Sequence, residues 1–355
     1  MKKDATALEI LDYYKSIVWP IIDNHLQTPS FPSIFEIPSS MVKELDSYWK
    51  VARDYPERKG KYLRPTVLLL TCQAMGGELE SALLTAAAMQ LSEEWILMQD
   101  DWEDDSLQRR GKEAAHLIHS PKLTINATSG LQTIMWNIIR QNFDKLEKDI
   151  VLELMDEFFL LISRTVLGQH VDIDYVQQNK LEFTDEDWFF IADSKTSYYT
   201  IAGPIRLGAI CANANKQQLE TLAEFGIYLG RCFQLIDDLL DVTSDFSGLK
   251  QFGNDIYESK RTLILGHLLR TSNNNDKKKL ITIISKNRNE KTESEVKWVI
   301  EKMNSYKSIN YAKELAIEYR NKASNLLDKE LEFIGEQPHR THLKTLMTFI
   351  LERTH

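Results

Sequence analysis

Residues 100–111 read DDWEDDSLQRRG, and the interpretation of the whole chain turns on them. Two adjacent carboxylates, Asp100 and Asp101, are followed by Asp104, and the stretch closes on Arg109, Arg110 and Gly111. On a helix, positions i and i+4 are neighbours one turn apart, so Asp100 and Asp104 share a face with Asp101 beside it. The preceding Trp95-Ile96-Leu97-Met98 is apolar, so the pattern is a buried helix that ends in a cluster of negative charge. Carboxylates this close raise one another's pKa, and left unpaired they cost stability. A divalent cation removes that cost. Hard oxygen ligands in small number suit Mg²⁺, which keeps waters and completes its shell from substrate phosphates. One such run alone is equally well a solvated acidic face. A second copy argues against that: residues 233–241 read FQLIDDLLD, with Asp237, Asp238 and Asp241 at the same spacing after another apolar run.

Composition narrows the function classes. The 355 residues are 43% hydrophobic, enough for a large core. A net charge of -9 argues against a nucleic-acid partner, whose phosphate backbone needs a basic surface. Anionic small ligands remain open, because local basic clusters can outweigh the global sign. Cys72, Cys211 and Cys232 show no CxxC spacing and read as buried small residues in a reducing compartment. No apolar run approaches the roughly 18 residues of a membrane span. Asp4 and Glu9 interrupt the stretch that a signal peptide would keep apolar. The expectation is a soluble cytoplasmic protein.

Along the chain, Asp4 to Val18 has the pattern of an amphipathic helix. Pro20, Pro29, Pro32 and Pro38 then punctuate an irregular segment, so residues 1–38 read as a helix followed by a surface wrap. A helix is expected from Ser39 to Arg53, capped by Ser39 or Ser40. Pro56 to Pro65 reads as a turn carrying a basic run. From Thr66 the pattern is long and helical, and Pro204 is the only proline between Lys122 and Gln337. Strand signals are absent. Asn273 to Asp276 and Lys286 to Ser294 read as polar surface connections. Length alone is a soft prior for two domains, but no linker divides the chain. The matched aspartate triplets are read as lying on two facing helices of one bundle, where facing side chains build a site. The expected fold is all-α, one domain over residues 1–355.

Acidic clusters that hold metal need an anion to act on, and the sequence supplies anion binders. Gly60-Lys61-Tyr62-Leu63-Arg64-Pro65 sets Lys61 and Arg64 before a helix, and Gly60 lets backbone approach a ligand. Arg109 and Arg110 follow the first triplet, Lys195-Thr196 sits in ADSKTSYYT, Lys250 follows the second triplet, and Asn254-Asp255 leads to Lys260-Arg261. Arginine forks take phosphate oxygens in pairs, while lysine acts as a point charge. Any one of these alone is ordinary surface decoration; their placement beside the acidic runs is what marks them.

The motifs GKYLRP, DDWEDDSLQRRG, GQHVD, SKT, FQLIDDLLD and GNDIYESKRTL, in that order over residues 60–270, resemble the trans-isoprenyl diphosphate synthases of the polyprenyl synthetase family. DDWEDDSLQRRG with the downstream His116 is similar to geranylgeranyl diphosphate synthases, while GNDIYESKRTL is closer to bacterial polyprenyl synthases. The resemblance implies a helical isoprenoid synthase fold with a central active-site cavity, a homodimer, and several Mg²⁺ ions, with Mn²⁺ as a substitute. It implies a transferase that joins isopentenyl diphosphate head-to-tail to an allylic diphosphate, giving a short all-trans product such as farnesyl or geranylgeranyl diphosphate. Asp100, Asp101, Asp104, Asp237, Asp238 and Asp241 would hold the metals on the allylic diphosphate, with Asp172 of GQHVD near them. Arg109, Lys195, Lys250 and Lys260 would grip that diphosphate. Gly60, Lys61, Arg64 and Arg110 would take the isopentenyl diphosphate. Thr196, Gln234 and Gln169 would face the allylic cation, in a dry space that Tyr198, Tyr199 and Phe233 are suited to line.

One position departs from the family. Seven residues before Asp100, where His or Gln usually contacts isopentenyl diphosphate, stands Glu93. A carboxylate there repels a diphosphate unless it is protonated or paired with a nearby lysine or arginine. One helical turn deeper than the metal site lie Trp95 and Ile96, with small Ser92 a further turn down, at 1.5 Å per residue. The resemblance runs the growing chain past this turn, so Trp95, Ile96 and Ser92 are the expected length determinants. Two rival readings are a terpene cyclase, which shares the fold and the first triplet, and a non-catalytic subunit of a heteromeric prenyl synthase. The GKYLRP stretch and the matched second triplet argue against the first, and the retention of both triplets argues against the second.

Overall fold

The computed structural model describes residues 2–243 and 252–351. Those residues are overwhelmingly helical and cluster into two compact units. The first comprises Met1–Asp156, Leu207–Asn213 and Glu336–His342; the second comprises Glu157–Arg206, Ala214–Gly335 and Leu343–His355. Among the described residues no helix is long and apolar enough to cross a membrane. Cys72, Cys211 and Cys232 are buried free thiols, as expected.

In the first unit α1 (Ala7–His25) is followed by α2 (Val42–Ala52), α3 (Asp54–Arg58), α4 (Leu63–Ala74), α5 (Leu79–Glu103), α6 (Ala115–Ile118) and α7 (Pro121–Arg140). The organising element is α5, which packs against α1, α4 and α7. Its run from Ala86 to Met89 is fully buried, and the small Ala86, Ala87 and Ala88 let neighbours close in on several sides. Three local expectations are corrected here. Helix α1 continues through Pro20 to His25, because Val18 and Ile22 on its apolar face are fully buried and outweigh one missing backbone bond. The first helix after the wrap starts at Val42 without a serine side-chain cap; Ser39–Met41 is a 3-10 turn before it. Pro56 sits inside α3 rather than in a turn.

Strand structure is also present, against expectation, as one two-residue hairpin: β1 (Gln108–Arg109) pairs with β2 (Lys112–Glu113), antiparallel. Its turn residues Arg110 and Gly111 have φ of 53° and 76°. Positive φ at both central positions is the type I′ geometry that matches strand twist, so the end of the RRG motif is a tight turn that presents two arginines.

The second unit takes in most of α8 (Lys148–Gln177), then α9 (Asp185–Ala192), a π-helical run over Asp193–Ala202, the start of α10 (Gly203–Cys211), α11 (Lys216–Thr243), α12 (Asn254–Tyr257), α13 (Leu263–Thr271), α14 (Asn274–Ile284), α15 (Glu293–Ser305) and α16 (Ser308–Lys329). Helix α11 packs between the π-helical run and α16. Contact with the π run is backbone-close: a Cβ on Gly226 or Gly230 would lie 2.4 Å from the Cα of Ala202 or Ser197. On its other side α11 contributes Leu235 and Leu239 to a core shared with Leu263, Leu268, Ile283 and Val299. Of two expected surface connections, the first is corrected and the second, which joins α14 to α15, holds except at one residue. Asn273 caps α14, its side chain accepting from the backbone N–H of Asn275 and Asp276, so Asn274 to Asp276 is a helix start. In the stretch from Lys286, Lys291 is buried and donates to the Tyr257 carbonyl at 2.7 Å and to Ser259 Oγ.

Candidate active site

The first triplet forms where α5 ends, with Asp104 as the C-cap. Asp101 is fully buried. It accepts from the Tyr55 hydroxyl and from Arg109, whose Nε lies 2.9 Å from Oδ2 and whose Nη2 binds Oδ1. Its oxygens are taken by these donors, which separates it from Asp100 and Asp104, both partly exposed. Arg109 Nη2 stands 3.7 Å from Asp100 Oδ2. The arginine expected to grip a diphosphate is therefore held in place by the middle carboxylate of its own motif.

One to two turns deeper along α5, the residues expected at the isopentenyl diphosphate come together. Arg64 Nη1 pairs with Glu93 Oε1 at 2.9 Å. Arg110 donates to both oxygens of Glu94, at 2.8 and 3.3 Å, and to the Tyr55 carbonyl at 2.9 Å, with Glu93 Oε1 a further 3.8 Å contact. Gly60 is required by this packing, since a Cβ there would meet Arg110 Nη2 at 2.7 Å. Lys61 is exposed, and the next residue, Tyr62, is buried in the left-handed conformation at φ 60°, a strained turn that starts α4 between Lys61 and Arg64. Glu94 is fully buried, accepts from Gln90 at 2.7 Å, and has its carboxyl pushed up to about 7, chiefly by burial. Trp95 and Ser92 are buried, and Ile96 is half-buried.

In the second unit a hydrogen-bonded pair and a hydrogen-bonded chain hold five of the other predicted residues. Lys195 Nζ donates to Asp172 Oδ2 at 2.6 Å. Thr196 Oγ1 donates to Gln234 Oε1 at 2.6 Å, and Gln234 Nε2 donates to Asp238 Oδ1 at 2.6 Å. Gly226, Gly230, Gln234 and Asp238 succeed one another every four residues on α11, so the close glycine face leads directly to the polar contact. Lys195 and Thr196 lie in the π-helical run, a wide turn often found at functional sites. Gln169 is half-buried three residues before Asp172 on α8. Tyr199 is buried, Phe233 is half-buried, and Tyr198 instead donates to Glu157 Oε1 at 2.6 Å. Lys260 pairs with Glu258 at 3.0 Å, and Lys250 lies outside the described residues.

The second triplet shows why a cation fits. Asp238 is buried, its Oδ2 has no hydrogen-bond donor among the described residues, and its carboxyl is pushed well up by burial and then by Asp255, Asp237 and Asp241. A metal ion would relieve that repulsion. Among the described residues no three acidic, histidine or cysteine side chains form a preformed metal cage. Tyr55, Gln90, Glu94 and Asp255 were not singled out by sequence reasoning. Asp255 donates its backbone N–H to Asp241 Oδ2 at 3.1 Å. The visible signal for Glu94 was a second acid directly after Glu93 inside an otherwise apolar helix.

An all-α chain with two DDxxD helices, each with arginine or lysine side chains alongside, has the equipment of an enzyme acting on diphosphates. The family description Polyprenyl synthetase matches residues 46–303. A short chain isoprenyl diphosphate synthase from Methanothermobacter thermautotrophicus is 30% identical over 298 residues, 83% of this chain and 87% of the relative. A geranylgeranyl diphosphate synthase from Methanosarcina mazei is 29% identical over 311 residues, 87% of this chain and 90% of the relative. The crystal structure of a geranylgeranyl pyrophosphate synthetase from Pyrococcus horikoshii matches with a TM-score of 0.83 and 25% identity, over 97% of this chain and 98% of that one. This chain belongs to the polyprenyl synthetase family and is a trans-prenyltransferase.

Proposed function

We propose that the chain condenses isopentenyl diphosphate head-to-tail with an allylic diphosphate, releasing diphosphate and a short all-trans product, geranylgeranyl or farnesyl diphosphate. The observation that carries this is the pair of aspartate triplets with cationic side chains beside them. The names of the Methanosarcina and Methanothermobacter relatives support the short product. Magnesium bound by Asp100 and Asp104 and by the Asp237, Asp238 and Asp241 set would supply Lewis acidity at the leaving diphosphate oxygens.

The remaining roles belong to the chain's own residues. Arg109, preset by Asp101, and Lys195, preset by Asp172, carry fixed positive charge for the departing diphosphate. As the allylic C–O bond breaks, its electron pair leaves with diphosphate and the carbon becomes a cation. The oxygens of Thr196 and Gln234 are oriented dipoles suited to that cation, held by their mutual bond and by Asp238. The isopentenyl double bond then attacks, and the released diphosphate takes the proton lost in closing the new double bond. Buried side chains such as Tyr199, three residues after Thr196, are suited to keep water from trapping the cation as an alcohol. Three buried free cysteines support a reducing, cytoplasmic setting. Neither compact unit is one continuous stretch of chain, which favours a single isoprenoid synthase domain over all 355 residues.

The test is incubation of the purified protein with isopentenyl diphosphate, each allylic diphosphate and Mg²⁺, followed by product chromatography. Elongated diphosphates are expected; hydrocarbons would indicate a cyclase, and no turnover without a second protein would indicate a subunit. Asp100→Ala and Asp237→Ala should each lower turnover by orders of magnitude with the fold intact. Near-normal turnover in the Asp237 variant would sink a mechanism that uses both triplets.

A further inference from the structure

The arginines assigned to isopentenyl diphosphate are both engaged by carboxylates of α5, and in two different ways. Arg110 is anchored. Glu94, which holds it by two contacts, is fully buried and is itself fixed by Gln90. The Tyr55 carbonyl takes a third hydrogen bond, and the guanidinium packs against Gly60 where a Cβ would stand. Glu93 is held more loosely. Its Oε1 pairs with Arg64 Nη1 at 2.9 Å, and 13% of its side chain is exposed. Its second oxygen has no hydrogen-bond donor among the described residues.

A diphosphate arriving at Lys61, Arg64 and Arg110 meets three cations already offset by two carboxylates. We propose that Glu93 is a displaceable occupant of the Arg64 guanidinium that sets the affinity of this subsite for diphosphate, whereas Glu94 is the fixed counter-charge that positions Arg110. A phosphate oxygen and the Glu93 carboxylate present the same geometry to a guanidinium fork, so they compete for it. Once displaced, Glu93 remains beside the bound anion and opposes it. Glu94 acts in the opposite direction, because Arg110 without it would lose the partner that aims it. The proposal rests on the reading of these three cations as a diphosphate subsite.

The experiment is calorimetric titration of inorganic diphosphate into the full-length protein in EDTA, for wild type, Glu93→Gln, Glu94→Gln and Arg64→Ala. With metal chelated, binding reports side-chain cations alone. Glu93→Gln should bind about tenfold more tightly, equivalent to ~1.4 kcal/mol, and its KM for isopentenyl diphosphate should fall relative to its KM for the allylic substrate. Glu94→Gln should bind more weakly. Equal or weaker binding by Glu93→Gln overturns the proposal even where Glu94→Gln fails to fold. A gain in Glu94→Gln matching that of Glu93→Gln overturns the division of roles, since bulk charge would then explain both. The underlying reading fails separately: Arg64→Ala binding as wild type does would show that the subsite takes no diphosphate.

Discussion

Single residues divide into those whose role is legible from type and spacing and those whose role depends on what folds against them. Asp100, Asp104 and Asp237 belong to the first group, because DDxxD on a helix fixes their shared face. Asp101 belongs to the second: its engagement by Tyr55 and Arg109 depends on a short helix 46 residues upstream and on a hairpin turn. Glu94 is the clearest such case, an acid in an apolar helix whose counter-charge comes from residue 110. It also carries a pH signature. Its carboxyl is raised from an ordinary 4.5 to about 7, first by burial and with a further rise from Glu93, against the lowering effects of Arg110 and Gln90. The folded state thus binds that proton more tightly than the unfolded chain does. Its contribution to stability is full below the unfolded value and declines as pH rises through the folded one. In thermal denaturation between about pH 4.5 and 7, the melting temperature of wild type relative to Glu94→Gln should fall with rising pH and level off above that range. A difference independent of pH would mean that Glu94 titrates as an ordinary carboxylate.

At the scale of elements, long periodic helices were readable and their local irregularities were not. The π-helical run over Asp193–Ala202 has no signature beyond the Gly203-Pro204 pair that ends it. Its wide turns accommodate a neighbour that comes within backbone distance at Gly226 and Gly230, a non-local cause. The hairpin at Arg109 to Lys112 is not legible in the sequence, because two-residue strands are too short to alternate. Helix α5 carries the chain-length prediction. Trp95 is only 3% exposed and its indole N–H has no acceptor among the described residues, while Ser92, three residues earlier, is buried and bonds the Met89 carbonyl. If the product descends past this turn, Trp95 is the bulk that stops it and Ile96 leaves more room than a second aromatic would. Trp95→Ala should shift products at least one isoprene unit longer on chromatography of the dephosphorylated mixture. It should also cost ~3–5 kcal/mol of stability from the cavity left behind. An unchanged product at full activity would place the stop elsewhere, and a wild-type product much longer than geranylgeranyl would refute the assignment.

For the molecule as a whole, fold class followed from helical periodicity and scarce prolines, but the organisation into two compact units did not. Their boundaries fall at Asp156, Arg206, Asn213, Gly335 and His342, where the chain shows no linker composition for a reader to find. Assembly is the remaining whole-molecule property, and here the surface speaks. On α8, Phe159, Leu160, Val166 and Leu167 are 61%, 52%, 54% and 60% exposed. Positions i, i+1, i+7 and i+8 lie along one helix face, so these are two apolar pairs on one stripe, with Ser163 and Arg164 between them. Monomers rarely leave such a stripe in water, and a second copy of the chain, as the family resemblance implies, would cover it. Stable interfaces of this kind typically bury about 1,600 Å² in total, more than four side chains supply, so the stripe would be the apolar centre of a larger contact. Sedimentation equilibrium at micromolar concentration should give twice the chain mass. Phe159→Glu combined with Leu167→Glu should give the monomer mass while leaving the helical circular dichroism spectrum intact, because both side chains already face solvent within one chain. A wild-type protein that sediments at a single chain mass would overturn the homodimer that the resemblance implies, and a charged variant that stays dimeric would move the interface to another face.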